Sequence, residues 1–270
     1  MDLLGIGRSR NYDLSTKQFL NFLNSLRVNM SYLVAKKKCW DVIKKYYPVF
    51  EGKQPRLEMM IRSYLKSDYV LLDIGCGRGK ETAIEYKKEV QKSFGIDISE
   101  AIKFNSTIHY RLRANAYFLP FADHSFDMVV SQELIEHLEN PAALINEVSR
   151  ILKRGGVFVM STPNLLNWKT MISFMTSHRF HQKMNKQLHG IIQTDVFPTY
   201  YRMNRLGKID KTMKTNQMTR DKIVMWEDSP RTLTFNIFTT YADIFITTIL
   251  RRYELLKTFR ELIIVCYKKT

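Results

Sequence analysis

The 270-residue chain is 45% hydrophobic, 25% charged and 12% aromatic, close to the globular average, which excludes a disordered or fibrous protein and leaves room for one large domain or two small ones. Its 42 Lys and Arg outnumber 26 Asp and Glu, for a net charge of +16 and a pI near 9.7, which admits nucleic acid or an anionic membrane as partner without choosing between them. Cys39, Cys76 and Cys266 are too few and too scattered for a disulfide framework or a zinc site, so a reducing cytoplasm is expected.

The opening MDLLGIGRSRNYD lacks the basic-then-apolar run of a secretory signal, and no transmembrane span stands out. Charge is unevenly placed. Residues 70–166 hold 11 basic and 12 acidic side chains, whereas residues 1–69 hold 13 and 6, and residues 167–222 hold 11 and 3. A neutral module with basic flanks fits a compact ligand at the centre and solvent or an acidic acceptor outside.

In chain order, Phe19, Phe22, Leu23 and Leu26, then Ala35, Cys39, Trp40, Ile43 and Tyr47, recur at helical spacing and predict helices over 14–47. Leu57, Met60, Ile61, Tyr64 and Leu65 predict another helix after Pro55. Tyr69 to Leu72 reads as a buried strand, Gly79 to Lys88 as helix, Ser93 to Ile96 and Phe126 to Val130 as strands, Pro141 to Leu152 as helix, and Val157 to Met160 as strand. Asn140 is the expected N-cap of the Pro141 helix, and Gly155-Gly156 follows its last turn. Strands alternating with helices predict a doubly wound α/β sheet that binds its ligand where the strands end.

The strongest local signal is Leu71-Leu72-Asp73-Ile74-Gly75-Cys76-Gly77-Arg78-Gly79, a buried strand running into a loop with glycine at alternate positions. Glycines let the backbone turn sharply and approach a ligand closely. The dinucleotide fingerprint GxGxxG is broken by Lys80, and Asp73 stands just ahead of the loop. A carboxylate repels a pyrophosphate and attracts an ammonium or sulfonium, so this loop favours a zwitterionic, cationic ligand over NAD. About twenty residues on, Asp97 ends a second short strand, where an acid can accept hydrogen bonds from both ribose hydroxyls.

These residues resemble the class I S-adenosylmethionine-dependent methyltransferases, whose DxGxGxG motif is matched by Asp73, Gly75, Gly77 and Gly79. The similarity continues through Ala114 to Asp127 (ANAYFLPFADHSFD), Ser131 to Leu138 (SQELIEHL), Leu152 to Gly156 (LKRGG) and Ser161 to Asn164 (STPN), covering about residues 55–165 in the family's order. The resemblance implies a Rossmann-like, seven-stranded, mostly parallel sheet whose last strand, Leu262 to Tyr267, enters antiparallel. It implies S-adenosylmethionine as cofactor and S-adenosylhomocysteine as product. By the same resemblance Asp73, Gly75, Cys76, Gly77 and Gly79 hold the methionine end, Asp97 the ribose, Asn115 and Ala116 the adenine, and Ile98 packs on its ring; Ser131 completes the set. Where relatives have an acid that contacts the adenine amino group, this chain has Asn115, whose carbonyl oxygen keeps the contact in uncharged form.

Methyl transfer from a sulfonium rests largely on positioning, and a base is needed only if the acceptor must lose a proton. His137 is the preferred base, with Glu136 beside it, because an imidazole titrates close to neutrality. Glu133, Glu136 and His137, at i, i+3 and i+4, are expected on one helical face, where they form an alternative divalent-metal site similar to one in ubiquinone-pathway O-methyltransferases. His178 and His181 in HRFH make a weaker metal pattern.

The expected organisation is an N-terminal helical lid over 1–55 and a methyltransferase domain over 56–270. The latter divides into a core at 56–165, a basic acceptor-side insertion at 166–222, and a terminal helix and hairpin at 223–270. Trp168, Phe174, Phe180, Phe197, Tyr200 and Tyr201 among basic residues suit stacking on a ring while cations meet phosphate or carboxylate. The stretch Asp195 to Asn204 is similar to one in methyltransferases of surface-polysaccharide biosynthesis, which favours O-methylation of a small-molecule, sugar or lipid-linked acceptor. An RNA methyltransferase and a non-catalytic cofactor-binding subunit remain the alternatives. Thr232 to Leu250 is long and nearly uncharged, a core or lid helix or one lying at a membrane surface, so the expected location is cytoplasmic or peripheral to a membrane.

Overall fold

The computed structural model describes residues 34–48, 53–79, 84–176 and 197–270. The helices expected over 14–33, and Phe180, His178 and His181, lie outside the described residues.

The described chain forms two compact units. One contains residues 34–48 with Pro230–Ile244, and the other residues 53–229 with Phe245–Thr270. In the first, residues 34–46 form helix α1 with Cys39 and Ile43 buried, and Tyr46 meets Tyr241 edge-on, ring centroids 6.1 Å apart. The Asp243 carboxylate there accepts the backbone N–H groups of Thr232 and Leu233 at 2.8 and 3.0 Å.

The second unit is built on one seven-stranded sheet in the order β3-β2-β1-β4-β5-β7-β6. The strands are β1 (Val70–Ile74), β2 (Lys92–Asp97), β3 (Tyr110–Arg113), β4 (Phe126–Gln132), β5 (Leu152–Pro163), β6 (Met218–Trp226) and β7 (Leu262–Lys269). β7 alone runs antiparallel to its neighbours β5 and β6. The helices are α2 (Lys53–Arg62), α3 (Tyr86–Glu89), α4 (Pro141–Ile151), α5 (Trp168–Met175), α6 (Leu206–Thr215) and α7 (Ile237–Arg252). This is the doubly wound, mostly parallel sheet that the alternation predicts.

Side chains on successive strand residues go to opposite faces, and both faces are covered. Leu72, Ile74, Val129, Phe158, Met160, Ile263 and Val265 pack with Leu144, Ile145, Val148 and Ile151 of α4 and Ile209 and Met213 of α6. Leu71, Met128, Val130, Val157, Val159, Ile264 and Cys266 pack on the other side with Leu57, Met60 and Ile61 of α2. Each such buried Leu or Ile contributes about 1.5–3 kcal/mol, which is why the central strands read as unbroken apolar runs. No helix among the described residues is long and apolar enough to cross a membrane.

Several local expectations are corrected. Asn140 makes no side-chain cap to α4, whose start is instead marked by Pro141 in the first turn. Gly155-Gly156 does not end that helix. Leu152 is fully buried against Phe126 in the sheet, so the chain passes directly from Ile151 into β5. Gly155, at φ +75°, sits where β5 shifts register against β4. In place of a helix over Gly79 to Lys88, the described residues form only one turn at α3, residues 80–83 lying outside them. The stretch 166–222 contains α5, α6, which packs on the sheet through Ile209 and Met213, and the first five residues of β6, and α7 lies between β6 and β7 in the chain.

Candidate functional site

Because β1, β2 and β4 are parallel and adjacent, their C-terminal ends bring three loops together at one sheet edge. A cavity of about 570 Å³ opens there. Its floor is Ile74 and Ile96. Around it stand Gly75, Asp97, Ile98, Ala114, Asn115, Ala116 and Tyr117 on one side, and Gln132, Glu133, Leu134, His137, Leu138, Glu139, Phe197, Pro198 and Tyr200 on the other.

The structure therefore brings Gly75, Asp97, Ile98, Asn115, Ala116 and His137 to one space. Asp73, Cys76, Gly77, Gly79, Ser131 and Glu136 are not part of its lining. Asp73 is half-buried in β1, paired in register with Gly95. Burial, and then the like charge of Asp97, pushes its carboxyl up to about 7. Cys76 is buried, which holds its thiol above the ordinary range. Ser131 is buried, and its hydroxyl lacks a hydrogen-bond partner in the structure.

The loop after β1 is shaped by glycine in the left-handed region: φ is +75° at Gly75, +46° at Gly77 and +69° at Gly79. Asn105 fastens it, donating from Nδ2 to the carbonyls of Cys76 at 3.2 Å and Gly77 at 3.3 Å. A Cβ on Gly79 would collide with Asn105 Oδ1, so any other residue there would displace the side chain that fastens the loop. The Asp97 carboxylate accepts the backbone N–H groups of Gly77 at 2.8 Å and Ser99 at 2.7 Å, which locks the acid against the loop. No sequence signal singled out Asn105, because its bonds go to backbone 28 and 29 residues away.

The opposite wall hangs on β4 and the short 3-10 turn Ile135–His137 that follows it. Glu133, at φ +46°, pairs with Lys53 of α2, and Gln132 donates to Gln54 at 3.1 Å. Lys53 and Gln54 were also missed by sequence reasoning. The His137 Nδ1 bonds the Pro198 carbonyl at 2.9 Å, so in the neutral ring Nδ1–H donates and Nε2 is the basic nitrogen. The Glu136 carbonyl accepts the N–H groups of Tyr200 and Tyr201 at 2.7 and 3.2 Å, fixing that segment as a wall.

Glu133, Glu136 and His137 do not share one α-helical face. Glu136 is 3% exposed and accepts the Thr162 hydroxyl at 3.0 Å, while burial and the Glu133 charge push its carboxyl up to about 8. With Glu133 on Lys53 and His137 on Pro198, the three side chains have three separate partners. No group of three His, Cys, Asp or Glu among the described residues is placed to hold a metal ion.

Among the described residues the lining carries Asp97, Glu133 and Glu139 and neither Lys nor Arg, on a chain of net charge +16. Acceptor-only carboxylates beside bare main chain match a ligand bearing an ammonium, a sulfonium and ribose hydroxyls, and disfavour a pyrophosphate.

Residues 72–160 match a family described as a methyltransferase domain. A probable S-adenosylmethionine-dependent methyltransferase from Mycolicibacterium smegmatis is 34% identical over 106 residues, 36% of this chain and 39% of that protein. The ubiquinone biosynthesis O-methyltransferase of Xylella fastidiosa is 26% identical over 147 residues, 50% of this chain and 57% of that protein. The crystal structure of geranyl diphosphate C-methyltransferase from Streptomyces coelicolor, a complex with S-adenosylhomocysteine, superposes with a TM-score of 0.52 at 15% identity, over 80% of this chain and 77% of that one, a likeness of fold. The chain spans about half the length of the curated relatives it matches. Motif order, sheet order and cavity chemistry agree with the match of residues 72–160 to a methyltransferase domain.

Proposed function

We propose that the protein is a cytoplasmic enzyme that transfers a methyl group from S-adenosylmethionine to a hydroxyl of a small-molecule, sugar or lipid-linked acceptor. The observation that carries this reading is the cavity itself, which holds Asp97 beside the glycine loop and the His137 imidazole in one space. Asp73 and the loop Gly75–Gly79, with Cys76 in its bend, hold the methionine end. Asp97 takes the ribose hydroxyls, Asn115 and Ala116 the adenine edge, and Ile98, 56% exposed, covers its ring. Ser131 offers its buried hydroxyl behind them. When bound, the cofactor supplies an electrophilic methyl group on a positively charged sulfur.

The remaining chemistry belongs to the chain. His137 Nε2 takes the acceptor hydroxyl proton while Nδ1 stays on the Pro198 carbonyl, which fixes the ring's orientation. Glu136 acts through that wall rather than on the acceptor, carrying Tyr200 and Tyr201 on its carbonyl. Phe197, 6.3 Å from the His137 ring centre, and Tyr200 shield the reacting hydroxyl from water. The relation to an O-methyltransferase supports oxygen as the acceptor atom.

Asp97→Ala removes charge-assisted hydrogen bonds of about 1.5–3 kcal/mol, so the Kd for S-adenosylhomocysteine is expected to rise on the order of 10- to 100-fold in a calorimetric titration. An unchanged Kd means that Asp97 does not hold the ribose.

Asp73 gives the binding a pH dependence of defined sign. Its carboxyl titrates at about 7 in the free protein, and only the ionised form attracts an ammonium. Above that pH the affinity is flat; below it, binding must expel a proton, and affinity falls by up to about tenfold per pH unit. Titrations at about pH 8 and about pH 6 check this, and equal affinities would remove Asp73 from the ammonium site.

A further inference from the structure

One side of the sheet edge carries an apolar surface that the proposed chemistry leaves unused. On α5, Met171, Ile172, Phe174 and Met175 are exposed, Met175 by 78%. On the 3-10 turn Glu254–Phe259, Leu255 is 95% exposed and Phe259 is open as well. The two elements form one surface. Asn167, the N-cap of α5, donates to the Phe259 carbonyl at 2.8 Å, and Asn164 donates to the carbonyls of Thr258 and Arg260, both at 2.8 Å. Contiguous apolar exposure of this kind marks an interaction site.

The charge around it is cationic. α5 contains no acid, Arg252 and Lys257 are exposed beside Leu255, and Glu254 is neutralised by Arg260 at 2.6 Å. Apolar side chains flanked by Arg252 and Lys257 complement an anionic lipid surface, where the former enter the acyl boundary and the latter meet phosphate.

The surface also adjoins the cavity wall. The Phe174 ring lies edge-on to Tyr201, centroids 6.1 Å apart, and the Ser173 hydroxyl is 3.3 Å from the Tyr201 hydroxyl; the neighbouring Tyr200 lines the cavity. We infer that α5 and the Glu254–Phe259 turn dock the protein on an anionic membrane, with the acceptor wall facing a lipid-borne substrate. The substrate half of this inference rests on the methyl-transfer reading; the docking half does not.

The test is flotation of the full chain with phosphatidylcholine vesicles, with and without phosphatidylglycerol, alongside calorimetry with S-adenosylhomocysteine. The chain is expected to float with the phosphatidylglycerol vesicles and to be released by salt. Met175→Ser combined with Leu255→Ser is expected to lower the bound fraction on the order of tenfold or more with cofactor-product affinity unchanged. Absence of flotation, flotation of the double variant equal to wild type, or a self-association abolished by the same substitutions overturns the docking surface. Flotation without S-adenosylhomocysteine binding would leave the docking surface standing and remove the methyl-transfer reading.

Discussion

Replacing His137 with Ala is expected to slow methyl transfer by about 10²- to 10⁴-fold, the contribution of a positioned general base, while leaving S-adenosylhomocysteine affinity unchanged. The expectation follows from geometry. His137 lines the cavity on the wall facing Asp97 and Asn115, and its Nδ1 is engaged by a backbone carbonyl, so Nε2 is the nitrogen available to a hydroxyl proton. The measurement uses an acceptor identified by S-adenosylhomocysteine release across hydroxylated metabolites and sugar nucleotides. A variant that keeps the wild-type rate would show that the acceptor needs no base there. Loss of affinity as well as rate would point to collapse of the wall, since Phe197 and Pro198 pack on the same ring.

Lys169→Met carries the largest expected cost in stability, about 3–5 kcal/mol. Lys169 is 9% exposed in the first turn of α5; its Nζ donates to Glu227 at 2.9 Å and to Glu261 at 2.8 Å. Burial alone would lower the ammonium's pKa, but the two carboxylates together hold it above its ordinary value. Glu227, 1% exposed just after β6, also accepts Asn167 Nδ2 at 3.1 Å and the Glu261 N–H at 2.9 Å. The network thus ties α5, β6 and the entry to β7. Methionine fills similar volume and leaves the Glu227 carboxylate buried without its cation, which is where the cost arises. Urea unfolding checks the figure. A loss below about 1 kcal/mol would mean that water reaches Glu227 and replaces the ammonium.

The parts of this fold that were legible from residues alone are those whose signal is local. β1, β4 and the Val157–Met160 stretch of β5 are apolar runs buried on both faces, and the glycine loop with Asp73 and Asp97 stands out by residue type and spacing. β3 was missed because it is an edge strand reading Tyr-Arg-Leu-Arg, and β6, the other edge, carries Arg220, Asp221 and Lys222. Charged edges resist unwanted strand pairing and so lack the apolar pattern that identifies a strand. The helical spacing of Glu133, Glu136 and His137 misled because β4 runs on through Gln132, leaving Glu133 at positive φ and only a single 3-10 turn after it. Asn105 on the glycine loop, Lys53 on Glu133 and Lys169 on Glu227 are contacts across 28 to 80 residues, visible only once the chain has closed on itself.

The most direct measurement is calorimetric titration of the wild-type chain with S-adenosylhomocysteine and, separately, with NAD. An acid-lined cavity against bare main chain predicts saturable uptake of the sulfur nucleoside and none of the dinucleotide. Uptake of NAD without S-adenosylhomocysteine would contradict it.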